Sequence, residues 1–278
     1  MRKTPMSEQI RIYCYPLGSF IDVPEKPKRI VSLVSGLTEA LFEIGYGAQV
    51  VGVSSYCSRY VPNLSAPVVG DYLVVDEGQI KKLEPDLVLT TTGVQRGLGK
   101  KLSEHGFPIY AFPLPNSLHG VLENVITLGG LVDEMDSARA LTQRWRRVFL
   151  DLAAGAPSPR PRVYAECWFG KHVRMVGGFT FINDLLEAAG CENIFANQRQ
   201  GYLKLDLDET RRRRPDLMIL FTEPEYPVDA NELLQQRGWQ GVPVIESNVT
   251  RGVNLIHDGP SMMETAAWLQ RRVIAKRN

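Results

Sequence analysis

The sequence predicts an α/β protein of two lobes with parallel sheets, joined by a long interlobe α-helix, and three observations predict it. Short apolar runs alternate with helix-patterned runs through both halves of the 278-residue chain, as parallel strands covered on both faces do. The halves also echo each other, Lys82-Leu83-Glu84-Pro85-Asp86-Leu87-Val88-Leu89 against Arg213-Arg214-Pro215-Asp216-Leu217-Met218-Ile219-Leu220. In each copy a charged helix ends at a proline that cannot continue it, and an apolar strand follows. Between them, Ser117 to Ala154 keeps a helical period, with Leu118, Val121, Leu122, Val125, Leu128 and Leu131, then Ala138, Leu141, Trp145, Val148, Phe149 and Leu152.

In order, Ile10 to Val23 reads as one or two short strands, and Ile30 to Val34 as a buried strand. Leu37 to Ile44 reads as a helix capped by Ser35, with Glu39 in its first turn, ended by Gly45 and Gly47. A strand at Val50–Val53 leads into a Pro-, Ser- and Asn-rich loop reaching Tyr72. A helix from Glu77, a strand from Asp86, a helix near Gln95 to His105 and a strand at Ile109–Phe112 complete the first lobe. In the long helix, Gly129-Gly130 is expected to weaken or bend the chain. Asp133, Glu134 and Asp136 followed by Arg144, Arg146 and Arg147 suit the dipole of its second segment. The order then repeats: a strand at Arg162–Glu166, a helix from Phe181 stopped by Gly190, a loop to Tyr202 and a helix from Asp206. The strand Asp216–Leu220, a helix near Asn231 to Arg237, the strand Val242–Ile245 and a closing helix from Ser261 end the chain. The boundaries expected are an N-terminal α/β lobe at 1–116, the interlobe helix at 117–156 and a C-terminal α/β lobe at 157–278, each lobe Rossmann-like.

Composition excludes several function classes. Apolar content of 44% and charge of 23% are ordinary for a soluble globular protein. A formal net charge of +1 supplies no global field for nucleic acid or an acidic membrane surface. Cys14, Cys57, Cys167 and Cys191 lie far apart without a C-x-x-C pair; reduced, partly buried thiols are expected, with one disulfide left open. The residues after Met1-Arg2-Lys3 lack the apolar core of a secretory signal, and Cys14 lacks the flanks of a lipoprotein site. That leaves two placements, a cytoplasmic protein or a chain whose leader is missing here. No apolar run reaches the roughly 20 residues that span a bilayer.

Catalytic signatures are mostly missing. Gly45-Tyr46-Gly47 follows a helix and lacks the later glycine of a dinucleotide site. Phosphate-loop and nucleophile-elbow patterns are absent, and His105, His119, His172 and His257 show no H-x-x-x-H spacing. No metal site and no intrinsic cofactor are expected. Arg211 to Arg214 reads as a basic helix face in water, with a binding surface as the minority reading. What stands out is aromatic: Tyr56, Tyr72, Trp168, Phe169 and Tyr202 fall just after strands or in strand-to-helix loops. Ligands of open parallel sheets bind where those loops gather, and rigid flat side chains suit a large, rather apolar ligand. Lys171, His172 and Arg174 lie near enough in sequence to meet an anionic group, beside an expected tight turn at Gly177-Gly178.

From about Pro27 onward the sequence resembles the substrate-binding proteins of ABC importers for cobalamin, ferric siderophores and haem, the helical-backbone class. The resemblance is carried by Pro27-Lys28-Arg29-Ile30-Val31-Ser32-Leu33 with Thr38-Glu39, by Val51-Gly52-Val53-Ser54-Ser55-Tyr56, by Leu83-Glu84-Pro85-Asp86-Leu87-Val88 and by Gly190-Cys191-Glu192-Asn193-Ile194-Phe195. The second of these is most similar to the cobalamin-binding branch. The resemblance implies that Tyr56 faces the corrin, that Tyr72 and Tyr202 stand where that branch has cleft tryptophans, and that Trp168 or Phe169 lies near a cleft aromatic. It implies a non-catalytic binding protein, a monomer, working in the periplasm or at the cell surface with a membrane permease. An acidic residue on each lobe would dock that permease: Asp208 with Glu209 beside it, and Glu77, which precedes a Gly78 at the matching place. The alternatives are a ferric siderophore or haem binder, a cytoplasmic protein that hands on a corrinoid, and an enzyme working in the interlobe cleft.

Overall fold

The computed structural model describes residues 9–277. The chain divides into two compact units, one of residues up to Leu114 with Leu122–Gln143, the other of Pro115–Val121 with the residues from Arg144 onward.

The first unit opens with an antiparallel hairpin, β1 (Gln9–Cys14) and β2 (Ser19–Pro24). It continues through β3 (Ile30–Ser32), α1 (Ser35–Glu43), β4 (Val50–Ser54), β5 (Val68–Gly70), α2 (Glu77–Lys82), β6 (Leu87–Thr91), α3 (Arg96–Glu104) and β7 (Ile109–Phe112). Strands β3 to β7 form one wholly parallel sheet in the order β5-β4-β3-β6-β7. Val31, Leu33, Val88 and Ile109 of the sheet pack with Ile80 of α2 and Leu102 of α3 in one buried cluster. The pattern of the sequence misses β5, because a three-residue strand between Pro67 and Asp71 is too short to show a period. It also misplaces the start of α1. Ser35 is the first helical residue, Val34 occupies the cap without a side-chain bond, and Glu39 is buried in the second turn. Thr38 does the local work instead, its hydroxyl donating to Val34 O (2.9 Å) and lying within hydrogen-bond distance of the Ser32 hydroxyl (2.8 Å).

The stretch between the sheets is helical over most of its length but is two helices, α4 (Leu118–Leu131) and α5 (Met135–Ala154). The break is at Asp133, which takes a left-handed φ of 56° and pairs with Lys26 at 2.7 Å. Gly129-Gly130, expected to bend the chain, lies inside α4. A Cβ at Gly129 would collide with Ala138 of α5, so that glycine permits close packing of the two helices.

The second unit continues through β8 (Arg162–Phe169), β9 (His172–Val176), α6 (Phe181–Ala188), β10 (Glu192–Asn193), β11 (Tyr202–Leu203), α7 (Leu207–Arg213), β12 (Leu217–Phe221), α8 (Ala230–Arg237), β13 (Val244–Ser247) and α9 (Met262–Arg277). Its sheet runs β11-β9-β8-β12-β13, with β10 beside the first residues of β8. The β8-β12-β13 centre is parallel, while β9 and β11 add an antiparallel edge that the sequence does not announce. Strand β8 therefore runs three residues past Glu166 and turns back through Gly170-Lys171. The expected turn at Gly177-Gly178 is instead a close backbone approach: a Cβ at either would strike the carbonyl of Gln200 or Ala196. Cys14, Cys57, Cys167 and Cys191 are free and buried, and burial pushes the Cys191 thiol up to about 12.

The echo between the halves is structural. Glu84 and Arg214, each preceding its proline, take left-handed φ values of 44° and 47°. Asp86 then accepts from the backbone N–H of Lys28 (2.7 Å) and Arg29 (3.0 Å), ahead of β3. Asp216 accepts from Arg162 N–H (2.8 Å) at the start of β8. The arginines close the clamp, Arg29 Nε donating to Leu83 O and Arg162 Nη1 to Arg214 O. Asp86→Ala and Asp216→Ala are each expected to cost about 1–2 kcal/mol by freeing these donors. Urea unfolding should show a lower midpoint at unchanged slope; wild-type midpoints in both variants would contradict the clamp.

Candidate functional site

In the first unit the parallel sheet carries Tyr56 and Tyr72 at the carboxyl ends of the adjacent strands β4 and β5. Both are half-buried. Tyr56 opens a 3-10 turn whose Cys57 is wholly buried, with Sγ 3.1 Å from Thr38 Oγ1 and 3.2 Å from Ser54 Oγ. Arg59 lies over the Tyr56 ring, 5.4 Å from its centroid. Tyr72 sits in a turn that Asp71 builds by accepting from Leu73 and Val74 N–H (2.6 and 2.7 Å). Gly70 is required there, since a Cβ would collide with Val74 O.

A residue that sequence reasoning passed over ties these loops together. Gln95, wholly buried, accepts from Thr91 N–H (3.0 Å) and donates to Leu33 O (3.2 Å) and Tyr72 O (2.9 Å). One amide thus joins the carboxyl ends of β3 and β6 to the Tyr72 turn. Nothing in the pattern flags it, because a glutamine at a helix start reads as solvated.

In the second unit strand alternation separates two neighbouring candidates. Trp168 shares a face with Tyr164 and Glu166 and packs against the cluster of Met218, Leu233 and Trp239. Its indole N–H donates to Glu166 Oε1 at 2.7 Å. Glu166 is wholly buried and bonded by Arg237 through both oxygens (2.8 and 2.9 Å), and it also accepts the Tyr164 hydroxyl. Burial, with the Glu166 charge adding to it, raises the Tyr164 pKa far above the usual phenol range. Phe169 points to the opposite face, edge-on to Tyr202 at 5.7 Å and tilted against buried Phe221 at 6.2 Å. Register puts His172 and Arg174 on that same face, opposite Phe169 and Cys167. His172 is exposed, and Arg174 donates to Val173 O. Neither Trp168, Phe169 nor Tyr202 is a loop residue: the first two end β8 and the third begins β11.

Two further residues belong with Phe169. Gly170, with φ of 57°, donates its N–H to Glu223 at 2.8 Å, and the Tyr226 ring lies against it. Tyr226 is a half-exposed aromatic in the loop after β12. The rule that selects Tyr56 selects it too, had it been applied to every strand. Together these side chains offer flat apolar area with phenol hydroxyls at its edges. Among the described residues no three His, Cys, Asp or Glu gather to hold a metal ion.

The acidic candidates lie elsewhere. Glu77, at the start of α2, is bonded by Lys101 (2.8 Å) and His105 (2.6 Å), which hold its carboxyl below the usual range. Glu209 is held by Arg213 and Arg212, and its carboxyl is likewise lowered. Asp208 is the most exposed of the three at 80%, with Arg211 at 3.1 Å. The run Arg211 to Arg214 is not simply a face in water: Arg213 covers the Phe195 ring and donates to Ile194 O, and Arg211 donates to Arg237 O.

The model of the periplasmic binding protein family matches residues 30–249, and the chain belongs to that family of binding proteins. The "Cobalamin-binding protein" of Halobacterium salinarum is 30% identical over 207 residues, 72% of this chain and 55% of the relative. The chain thus spans about half the length of that relative. The "Vitamin B12-binding protein" of Vibrio parahaemolyticus is 24% identical over 219 residues, 78% of each chain. Among solved structures, a possible iron-binding periplasmic protein of Staphylococcus epidermidis has a TM-score of 0.75 at 22% identity, covering 88% of this chain and 98% of that one. The periplasmic vitamin B12 binding protein of Vibrio cholerae has 0.70 at 21% identity, covering 92% and 100%. These structures share the fold. No helix among the described residues is long and apolar enough to cross a membrane.

Removing Glu166 leaves the Arg237 guanidinium buried without its partner. Glu166→Ala is expected to cost about 3–5 kcal/mol and to shift tryptophan emission to the red. A loss below about 1 kcal/mol in urea unfolding would show that the pair is dispensable.

Proposed function

We propose that this chain is a non-catalytic binding protein for a corrinoid, serving ABC-type uptake. The observation that carries the reading is Tyr56 at the carboxyl end of β4, in the segment Val51-Gly52-Val53-Ser54-Ser55-Tyr56, within a chain whose relatives are named for cobalamin. Tyr56 and Tyr72 in the first unit, and Phe169 and Tyr202 in the second, are the ligand-contacting aromatics. A corrin is broad, partly apolar and fringed by amides, so flat side chains with hydroxyl edges grip it without bonding its metal. Trp168 serves differently, as part of the wall held by Glu166. Arg174 and His172 lie on the Phe169 face and meet polar substituents of the ligand. As a member of the periplasmic binding protein family, the protein works outside the cytoplasm and delivers its ligand to a permease.

Cobalamin is expected to bind one to one. Tyr56→Ala and Tyr202→Ala should each weaken it about tenfold or more with the fold retained, since a well-buried aromatic anchor is worth ~2 kcal/mol. His172→Ala should change much less, because the grip is not metal ligation. Titration calorimetry decides it: tight binding of haemin or a ferric siderophore with no heat from cobalamin would move the assignment to those ligands.

Docking of the permease is assigned to Asp208, with Glu77 and Glu209 as acids that must first release their internal cations. Exposed charge pairs chiefly steer association and are screened by salt. Reversing Asp208 and Glu77 to lysine together should abolish co-purification with a permease at low salt while cobalamin binding persists. Undiminished co-purification would remove these acids from the interface.

A further inference from the structure

A carboxylate stands beside the aromatic side chains at the carboxyl ends of β8 and β12. Glu223 lies two residues after Phe221, whose ring is tilted against that of Phe169. It is half-buried, and its Oε2 accepts the Gly170 N–H at 2.8 Å. Tyr226 closes the other side of the same turn. Its backbone N–H donates to Glu223 O at 3.0 Å, and its ring lies 3.4 Å from where a Cβ on Gly170 would stand.

A carboxylate has room for about four hydrogen bonds. Among the described residues Glu223 takes a single side-chain bond, at Oε2, and no lysine, arginine or histidine pairs with it. Other carboxylates of this unit are held by cations, Glu166 by Arg237 through both oxygens and Glu209 by Arg212 and Arg213. Clamping the β8–β9 turn uses one oxygen of Glu223. The acceptor capacity of the other remains for a donor that the chain does not supply.

Donors and an acceptor therefore stand together around Phe169. His172 and Arg174 share its face of the sheet, the Tyr202 ring is edge-on to it, and Glu223 is pinned to the residue that follows it. A carboxamide accepts through its carbonyl and donates through its NH2, so such a mixed edge serves both of its ends. A carboxylate only accepts, and beside a half-buried Glu223 it meets a like charge.

We propose that Glu223 is a ligand-binding residue that sets specificity: it accepts a hydrogen bond from a peripheral carboxamide of a corrinoid and disfavours macrocycles that carry a carboxylate at that place. This role rests on the corrinoid reading and adds to it the residue by which an amide-fringed ring is told from an acid-fringed one.

Glu223→Gln separates this role from the clamp, because the glutamine oxygen still accepts the Gly170 N–H while the charge is gone. The variant should keep its unfolding midpoint. Titration calorimetry would compare cobalamin with its separated monocarboxylates, each with one peripheral carboxamide hydrolysed, on both proteins. In the wild type at least one monocarboxylate should bind about tenfold or more weaker than cobalamin, since a bond to a charged group is replaced by a like-charge contact. Glu223→Gln should shrink that gap for the same isomer. No gap in the wild type, or gaps of the same size in both proteins for every isomer, overturns the role of Glu223 and leaves the corrinoid reading in place. A wild type that binds no cobalamin overturns the corrinoid reading and the role of Glu223 with it.

Discussion

A carboxylate placed one residue after a proline fixes the register of each sheet. Asp86 and Asp216 bond the backbone at the entry of a neighbouring parallel strand, β3 in one unit and β8 in the other. The left-handed residue before each proline turns the chain so that the carboxylate can reach. With the strand entries fixed, the carboxyl ends of parallel strands fall at one edge, and the loops that leave them are gathered there. Tyr56 and Tyr72 owe their neighbouring positions to this constraint, as β4 and β5 pair beside β3.

Fixing strands does not by itself hold a side chain for a ligand. The first unit adds buried polar bonds, with Cys57 anchoring the turn of Tyr56 and Gln95 anchoring that of Tyr72. The second adds a buried ion pair. Arg237 and Glu166 satisfy one another, and the carboxylate also takes the Trp168 indole N–H. Such groups are costly to bury unless every partner is supplied. Here they are supplied, and they leave the neighbouring Phe169, on the other face of β8, as the aromatic that meets Tyr202.

The fold was legible where the pattern is local and repeated. Leu83-Glu84-Pro85-Asp86 and Arg214-Pro215-Asp216 announce their helix ends and strand starts through proline alone. Legibility failed where an element is short or set by distant partners. Strand β5 has three residues, and β9 and β11 form an antiparallel edge whose pairing no local period encodes. Gly129-Gly130 looked like a bend and is a packing contact, while the real break needs only Asp133 in the left-handed region. For the candidate site, aromatic identity and strand adjacency pointed to Tyr56, Tyr72, Trp168, Phe169 and Tyr202 alike. Which face Trp168 takes depends on β8 continuing past Glu166. The role of Gln95 depends on its burial. Neither can be read from neighbours in sequence.

Whether the strand-end aromatics of this chain hold a corrinoid can be read from the visible absorption spectrum of the purified protein after incubation with cobalamin and removal of free ligand. The corrin bands are expected to elute with the protein in one-to-one proportion. A colourless protein after cobalamin, with haem or ferric siderophore bands retained in parallel incubations, would contradict it.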